Sequence, residues 1–483
     1  MNDLYKELIE YSKTDYYPFH MPGHKRNMKE FDHCEMYQMD ITEIDGFDNL
    51  HDARGIILEA EKRAATLYQS QKTYFLINGS TCGILAAVHM AVKPGGKILL
   101  SRNSHKAAYH AVFLRGLQVE YLYPGWNSEF DIQTGIKARD VEEALSLHPD
   151  IEAVFITSPT FDGVVSDVEE IARIAHNHQV PLIVDEAHGA HFGLYNNEPE
   201  SKRIPLNSIE KGADLVIHSL HKTLPSLTQT ALLHVNGNLM KPEQAEKYLG
   251  IFETSSPSYL LMASMDRCMD IIEKQGRKLF QDYLEHIQIF MKKVGSLKYI
   301  QVAIVAPTED GTVKDMDPGK FIISVKKTSF SGQQFYDILR IKYHLQLEMA
   351  ATSYVLAIIT IMDKETGFNR LAEALIEEDQ LLSGYQEKSF GMQGAMMPPK
   401  IAYYTITEAD GMKCLEILLK DSIGEVSGEW VSIYPPGIPF LVPGEIIDEA
   451  TVKEIEKAVI LGLPLQGLSH IKNGKINIVS KKK

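Results

Sequence analysis

Short apolar runs alternate with amphipathic stretches between about residues 55 and 235 of this chain. The runs are rich in Val, Ile and Leu, and the stretches between them repeat apolar residues with a helical period. The runs predict strands at 73–78, 97–101, 119–123, 153–159, 181–188, 215–219 and 230–235. The stretches predict helices at 55–68, 80–91, 104–115, 137–147 and 167–178. This alternation predicts an α/β fold in which helices cover both faces of a mostly parallel sheet.

The pattern changes on both sides of this region, so we predict four segments. Residues 1–54 hold a helix-like start and a Pro-Gly turn and are expected to form an N-terminal arm. Residues 55–257 form the large domain. Residues 258–367 combine a linker helix with a small α+β domain, and residues 368–483 form a C-terminal domain.

The two C-terminal segments carry their own predicted elements. In the first we expect a long helix over 258–293, a helix over 331–342, and strands at 299–305, 320–327, 345–349 and 354–361. The second contains a long helix and the run YPPGIPFLVPGE (434–445). Pro and Gly are so frequent in this run that we expect no regular element there.

Five polar clusters come directly after predicted strands of the large domain. They are NGST (78–81), RNSHK (102–106), SPTFDG (158–163), DEAH (185–188) and HSLHK (218–222). In a parallel sheet, ligands bind beyond the carboxyl ends of the strands. We therefore expect the five clusters to line one cleft.

The run HSLHKT places Lys222 just past a strand that reads as buried. A lysine there is costly unless it is paired, neutral or covalently modified. A Schiff-base lysine fits, because desolvation lowers its pKa and frees the amine as a nucleophile. A lysine that begins a surface loop explains this run equally well.

The run LIVDEAHGAH ends an apolar strand at Asp185 and allows three interpretations. The carboxylate could pair with the pyridine nitrogen of a pyridoxal cofactor and so improve the ring as an electron sink. It could instead cap a loop. The third interpretation is a metal site, and its ligands would be Asp185, Glu186, His188 and His191.

Two further clusters hold candidate cofactor contacts. Ser80 and Thr81 of NGSTCG fall at the start of a helix, where free N–H groups and hydroxyls bind phosphate. Ordinary N-capping by these residues is the alternative. His105 lies where a strand meets a helix and could stack on a planar cofactor, or simply cap the helix.

The amino-acid composition makes some classes of function unfavourable for this chain. The chain of 483 residues carries a net charge of −15, so its surface repels nucleic acid and anionic membranes. Four cysteines lie far apart without a CxxC pair, which indicates reduced thiols in a cytoplasmic protein. The N-terminus lacks the apolar core of a signal peptide, and we expect neither a membrane span nor a metal-binding cysteine motif.

Together these motifs resemble the fold-type-I pyridoxal-phosphate decarboxylases of ornithine, lysine and arginine, in the short form without a receiver-like domain. The resemblance covers nearly the whole chain. Besides the five clusters, it rests on FHMPGHK (19–25), DEAHGAHFG (185–193), HSLHKTLPSLTQ (218–229), TSSPSY (254–259), LEMA (347–350) and YPPGIPFLVPGE (434–445).

The resemblance implies a role for each candidate residue. Lys222 would bind pyridoxal 5'-phosphate covalently, and Asp185 would pair with the pyridine nitrogen. Ala187 and His105 would cover the two faces of the ring, and His188 would lie near its phenolic oxygen. The other implied contacts are Ser80, Thr81 and Ser219 to the phosphate, His221 to the phosphate or the protonation step, Thr254 to the neighbouring subunit's phosphate, and Glu348 to the substrate's distal cation.

The resemblance also implies a homodimer or larger assembly, a PGHK loop close to the active site, and an aspartate-aminotransferase-like large domain. The expected reaction is decarboxylation of arginine, lysine or ornithine, in polyamine biosynthesis or in acid resistance. Three alternatives stay open from the residues alone. They are another fold-type-I enzyme (an aminotransferase or a β-eliminating lyase), a non-catalytic pyridoxal-phosphate-binding protein, and a metal hydrolase built on DEAHGAH.

Overall fold

A computed structural model describes residues 3–14, 22, 35–195, 204–382, 398–433, 437–467 and 474–480. The expected position of the PGHK loop therefore lies outside the described residues. Among the described residues, helices α1 Leu4–Ser12 and α2 Met36–Met39 precede the large domain. The carboxylate of Asp3 caps α1 by accepting hydrogen bonds from the N–H groups of Tyr5 and Lys6.

In the described part of the large domain we find ten strands and seven α-helices. The strands are β1 Lys72–Leu76, β2 Lys97–Ser101, β3 Gln118–Leu122, β4 Trp126–Asn127, β5 Ile132–Gln133, β6 Ile151–Thr157, β7 Val164–Val165, β8 Leu182–Asp185, β9 Leu215–His218 and β10 Ala231–Val235. The helices are α3 Ile56–Tyr68, α4 Gly79–Ala91, α5 Lys106–Arg115, α6 Ala138–Leu147, α7 Val168–Asn177, α8 Leu220–Thr223 and α9 Pro242–Phe252.

Seven of these strands form the central sheet, in the order β1-β10-β9-β8-β6-β2-β3. The pairs from β9 to β3 are parallel, whereas β10 runs antiparallel to both of its neighbours. Alternate strand residues enter different clusters: Leu99 belongs to one core, while Ile98 and Leu100 belong to another. Both faces of the sheet are therefore buried, which confirms the predicted α/β class and the mostly parallel sheet.

The described residues that follow the large domain add five α-helices and ten short strands. The helices are α10 Tyr259–Val294, α11 Gly332–Lys342, α12 Glu365–Leu381, α13 Ile406–Asp410 and α14 Glu449–Ile460. The strands are β11 Gln301–Val302, β12 Asp315–Met316, β13 Lys320–Ser324, β14 Met349–Ala350, β15 Tyr354–Ile358, β16 Cys414–Leu418, β17 Val431–Ile433, β18 Ile438–Leu441, β19 Leu465–Gln466 and β20 Lys475–Val479.

The small domain is a four-stranded sheet in the order β11-β13-β15-β14 with α11 packed on it. The predicted strand at 345–349 is wrong, because β14 begins only at Met349. The predicted boundary at residue 367 falls inside α12, whose residues Phe368 and Leu375 enter the same core as α10. We therefore place the end of the small domain after α12.

The Pro- and Gly-rich run is not free of regular structure. Strand β18 lies within it and pairs with β17 at the edge of a three-stranded sheet, with an irregularity of register between Val431 and Ser432. Pro439 is tolerated there because an edge strand leaves one row of N–H groups unpaired. Residues 434–436 lie outside the described part.

Candidate active site

A cavity of about 520 Å³ lies beyond the carboxyl ends of the parallel strands. Ten of the eleven predicted site residues line this cavity. They are Ser80, Thr81, His105, Asp185, Ala187, His188, Ser219, His221, Lys222 and Glu348. Nine of them come from four strand-end clusters, and Glu348 directly precedes β14. The topology therefore brings together side chains that are separated by up to 268 residues.

Lys222 lies in the short helix α8, directly after β9, and its amine contacts the imidazole of His188 at 3.0 Å from Nζ to Nε2. Burial lowers the pKa of this lysine, and the carboxylates of Asp185 and Glu348 oppose that effect. A lowered pKa increases the fraction of neutral, nucleophilic amine.

Asp185 ends β8 and is 4% exposed. Its carboxylate accepts a hydrogen bond from the N–H of Ala187 at 3.2 Å. Burial raises the pKa of Asp185, whereas the cation of Lys222 works against this shift. A buried carboxylate beside a lysine amine is suited to balance a second positive charge brought in by a ligand.

The hydroxyls of Ser80 and Ser219 are within hydrogen-bond distance of each other. The N-cap of α4 is Asn78, and its side chain makes no capping bond, so Ser80 and Thr81 lie in the first turn rather than capping the helix. Gly79 begins this turn with a φ of +75°, a conformation that favours glycine. Hydroxyls and free N–H groups therefore meet at a helix N-terminus, a suitable site for a phosphate.

His105 caps a helix and also lines the cavity, while its predicted stacking on a cofactor stays a prediction. Its Nδ1 accepts a hydrogen bond from the N–H of Ala107 and so caps α5, while the ring also borders the cavity. Burial and the nearby cation of Lys222 lower the pKa of His105 to about 3. The ring is neutral near pH 7, which suits stacking on a flat ligand.

His221 and Thr254 differ in their surroundings. The Nδ1 of His221 donates to the carbonyl of Thr230 at 3.0 Å, which leaves the other ring nitrogen as an acceptor. Thr254 is exposed and does not line the cavity of its own chain, and its carbonyl accepts a hydrogen bond from His51 at 2.8 Å. Its implied role toward a neighbouring subunit stays a prediction.

Residues of the predicted metal site have separate hydrogen-bond partners instead of sharing one. Glu186 contacts Ser208 and His218, and His191 contacts Asp317. Within the described ranges, no group of three or more His, Cys, Asp or Glu side chains is arranged to hold a metal ion. The same ranges contain no helix with the length and apolar character that crossing a bilayer requires.

Several residues of the cavity were given no individual role in the sequence analysis, although two of them belong to the predicted polar clusters. Asn103, Phe161 and Thr360 line it, and Ile438 reaches it from the C-terminal segment. Lys320, at the start of β13, contacts His188 from the side opposite Lys222. A lysine directly before the apolar run FIIS was the available signal for this residue.

Comparison with known proteins identifies the family. The model of the Orn/Lys/Arg decarboxylase major domain matches residues 2–346, and that of the C-terminal domain matches residues 383–457. This chain belongs to the Orn/Lys/Arg decarboxylase family. Its membership makes it an amino-acid decarboxylase and confirms the predicted family.

Individual decarboxylases agree with this assignment. The chain is 31% identical to an arginine decarboxylase of Bacillus subtilis, over 96% of this chain and 95% of that protein. It is 29% identical to an arginine decarboxylase of Bacillus anthracis, over 96% and 94%. The fold is similar to that of a Francisella novicida lysine decarboxylase, with a TM-score of 0.82, 17% identity, and coverage of 99% of this chain and 81% of that one.

Proposed function

We propose that this chain decarboxylates arginine to its amine and CO₂ with pyridoxal 5'-phosphate as cofactor. The observation that carries the proposal is the convergence of Lys222, Asp185, His105 and the Ser80–Ser219 hydroxyl pair on one cavity. We further propose that the chain works as a homodimer or larger assembly in the cytoplasm, as the resemblance and the cysteine usage suggest.

The residues present fit this cofactor. A phosphate would be held by Ser80, Thr81 and Ser219 at the start of α4. Asp185 would face the pyridine nitrogen, and Lys222 would hold the aldehyde carbon covalently. His105 and Ala187 would border the two faces of the ring. The cavity of about 520 Å³ lies within the range of small-molecule sites.

When bound, pyridoxal 5'-phosphate supplies an electron sink for the pair released as the Cα–carboxylate bond breaks. The protein residues orient the substrate and handle the proton. Glu348 lines the cavity and is exposed, and its carboxylate would suit a long cationic side chain. The amine of Lys222 or the imidazole of His221 would return a proton to Cα after CO₂ has left.

Arginine is favoured over lysine and ornithine by the relatives from Bacillus subtilis and Bacillus anthracis, which are both named arginine decarboxylases. A guanidinium also matches a carboxylate such as Glu348 through two parallel hydrogen bonds.

The test is a competition among substrates. The full-length protein with pyridoxal 5'-phosphate is incubated with equal concentrations of arginine, lysine and ornithine, and the products are identified by mass spectrometry. We expect agmatine to dominate. Dominant cadaverine or putrescine would overturn the choice of arginine, and a keto acid in place of an amine would point to an aminotransferase.

A second experiment locates the covalent link. Reduction of the loaded protein with borohydride, followed by peptide mass spectrometry, should place the phosphopyridoxyl group on Lys222. Lys222→Ala should lose this label and reduce amine formation to background, because the amine that would form the covalent link is removed. Lys241→Ala, at an exposed position before α9, serves as the control and should retain both. Full label in Lys222→Ala would refute the assignment.

A further inference from the structure

A second cavity, of about 220 Å³, lies directly beside the cavity that holds Lys222. The two cavities share Asn103, Phe161 and Ile438 as a common wall. None of the ten predicted site residues that line the active-site cavity lines the second one. Its volume is that of about seven water molecules, which is room for one small organic molecule. The second cavity is therefore a separate space next to the active site.

The wall of the second cavity is mostly apolar, and several aromatic side chains contribute to it. They are Tyr123, Trp126, Phe161, Tyr354 and Phe440. Aromatic side chains bury apolar groups well, and the negative charge on their ring faces attracts organic cations. An alkyl chain that carries a positive charge therefore matches this wall better than an anion does.

The two cations in the described part of the wall are both held by carboxylates. Arg102 pairs with Glu445 at 3.1 Å, and Lys400 pairs with Asp448 at 2.5 Å. Arg102 also donates to the carbonyls of Pro439 and Phe440. These partners already use the charge of both cations. The carboxylate of a ligand would therefore find no unengaged lysine or arginine in this part of the wall.

Three acidic residues also line the second cavity, and two of them have cationic partners. Asp131 pairs with Lys326 at 2.8 Å, and Glu454 lies 3.6 Å from Lys457. Among the described side chains, the third acid, Asp162, takes part in no ion pair. The described wall therefore presents one carboxylate whose charge is not balanced by direct contact with a cation.

Asp162 is 8% exposed, and its Oδ1 accepts a hydrogen bond from the neutral hydroxyl of Tyr354 at 2.7 Å. The cation of Lys320 acts on Asp162 from a distance, but the amine of Lys320 contacts His188. Burial raises the pKa of Asp162 to about 6, which leaves the carboxylate mostly ionised near pH 7. A buried carboxylate with a neutral donor is costly, and a cationic ligand would offset that cost.

We propose that the second cavity binds the amine product of the reaction, an alkyl chain with cationic ends and no carboxylate, and that Asp162 is the partner of one of these ends. The inference rests on the proposed function for the identity of this amine. The product is favoured over the amino acid because the amino acid would bring a carboxylate to a wall whose cations are engaged. The common wall places this site next to the place where the amine forms.

Trp126 provides a direct readout of the second cavity. The chain has two tryptophans, so Trp430→Phe leaves Trp126, which lines this cavity, as the single one. The full-length protein is loaded with pyridoxal 5'-phosphate and reduced with borohydride, so that binding is measured without turnover. Agmatine, cadaverine, putrescine and arginine are then titrated separately while the emission of Trp126 is followed.

We expect a saturable change with agmatine and binding of arginine that is weaker by about tenfold or more. The amine that binds most tightly should be the one that the competition among substrates identifies as the product. Absence of a saturable change with any amine would overturn the proposal. Equal affinity for arginine, or tightest binding of an amine other than the product, would also overturn it.

A ligand without charge tests the role of the cation and needs no change at Asp162. 1-Pentanol has a similar alkyl chain and no positive charge. It should bind about tenfold more weakly than agmatine, or less, because it can bury apolar surface but cannot pair with a carboxylate. If 1-pentanol bound as tightly as agmatine, apolar burial alone would explain the binding and the proposal would fail.

Asp162→Asn removes the charge and keeps an acceptor for the hydroxyl of Tyr354. Its dissociation constant for agmatine should rise about tenfold, because a hydrogen bond between two charged groups is lost. Glu129→Gln is the matched control, since Glu129 is exposed and does not line the second cavity. This variant should bind agmatine within about twofold of the parent, because solvent screens an exposed charge.

Glu348→Gln distinguishes the two cavities, because Glu348 lines only the one that holds Lys222. A larger loss of affinity in Glu348→Gln than in Asp162→Asn would place the amine in the active-site cavity and overturn the proposal. Failure of the proposed function is a separate result. It would appear as the absence of amine formation in the competition among substrates, and the titration would still report on the second cavity because it requires binding and no turnover.

Discussion

Burial shifts the pKa of several titratable residues of the cavity. Burial lowers the pKa of Lys222 and His188 and raises that of Asp185, because in each case the charged form loses the most solvation. One physical cause therefore shifts the protonation equilibrium of all three groups toward their neutral forms. A single substitution at one of these residues can change its charge with little change in side-chain volume. Such variants therefore test the role of that charge directly.

Asp185→Asn removes the charge at the end of β8 and keeps the shape of the side chain. We expect amine formation to fall about 10²–10³-fold while pyridoxal 5'-phosphate still binds, because an amide cannot stabilise a protonated pyridine nitrogen. Steady-state kinetics and cofactor titration by absorbance measure the two effects.

Asp214→Asn is the control for this experiment. Asp214 accepts a hydrogen bond from the N–H of Leu182, at the amino end of the same strand and away from the cavity. Its replacement should reduce stability and leave kcat near the wild-type value. Equal losses of kcat in both variants would contradict a specific role for Asp185.

Contacts between elements also depend on buried polar groups. Helix α3 packs on β1, and Glu61 of the helix, 4% exposed, accepts a hydrogen bond from the N–H of Phe75 at 3.0 Å. Burial raises the pKa of Glu61 to about 8. The native state therefore binds this proton more tightly than the unfolded chain does.

The pH dependence of stability follows from this shift. The contribution of Glu61 is complete below about pH 4.5 and is lost as the pH rises through about 8. Glu61→Gln keeps the acceptor oxygen and cannot ionise. We expect this variant to match wild type near pH 5 and to exceed its free energy of unfolding at pH 9 by on the order of 1–3 kcal/mol.

Thermal unfolding at pH 5 and pH 9, at fixed protein and cofactor concentration, measures this difference. Glu59→Gln, on the exposed side of α3, is the control and should show no pH-dependent gain. If the unfolding temperatures of Glu61→Gln and wild type agreed at pH 9, the buried carboxylate would not be the titrating group.

On the scale of the whole molecule, the cavity is built from three parts of the chain. Glu348 reaches it from the small domain and Ile438 from the C-terminal segment. The other predicted site residues that line it come from the large domain. A buried ion pair of 3.1 Å between Arg102 and Glu445 joins the RNSHK cluster to the C-terminal segment. The relative position of the parts thus depends on contacts near the active site.

A further contribution to the site is expected from a second subunit. Thr254→Ala should weaken the binding of pyridoxal 5'-phosphate about tenfold, because a hydroxyl bond to a charged phosphate is lost, although Thr254 does not line its own cavity. Cofactor titration measures this at concentrations where sedimentation shows a dimer. Ser255→Ala, the exposed neighbour, should bind as wild type does. Unchanged affinity in Thr254→Ala would contradict a role across the interface.

Much of the fold could be predicted from local pattern. The helix over 55–68 is observed at Ile56–Tyr68, and the strand at 97–101 is observed at the same residues. Both elements show the expected repeat over several residues. The prediction of no regular element in the Pro-rich run was wrong. Pro439 is tolerated because β18 is an edge strand, and edge position depends on strand order and not on local composition.

The sequence by itself determined the βα alternation, the polar ends of the strands and the identity of the lysine after β9. It could do so because these features depend on neighbouring residues: periodicity of apolar side chains, and the rule that parallel strands end at one edge. The reversed direction of β10 and the position of Lys320 against His188 were decided only by tertiary structure. The contact joins residues 132 positions apart, and only the packing of two domains brings them within hydrogen-bond distance.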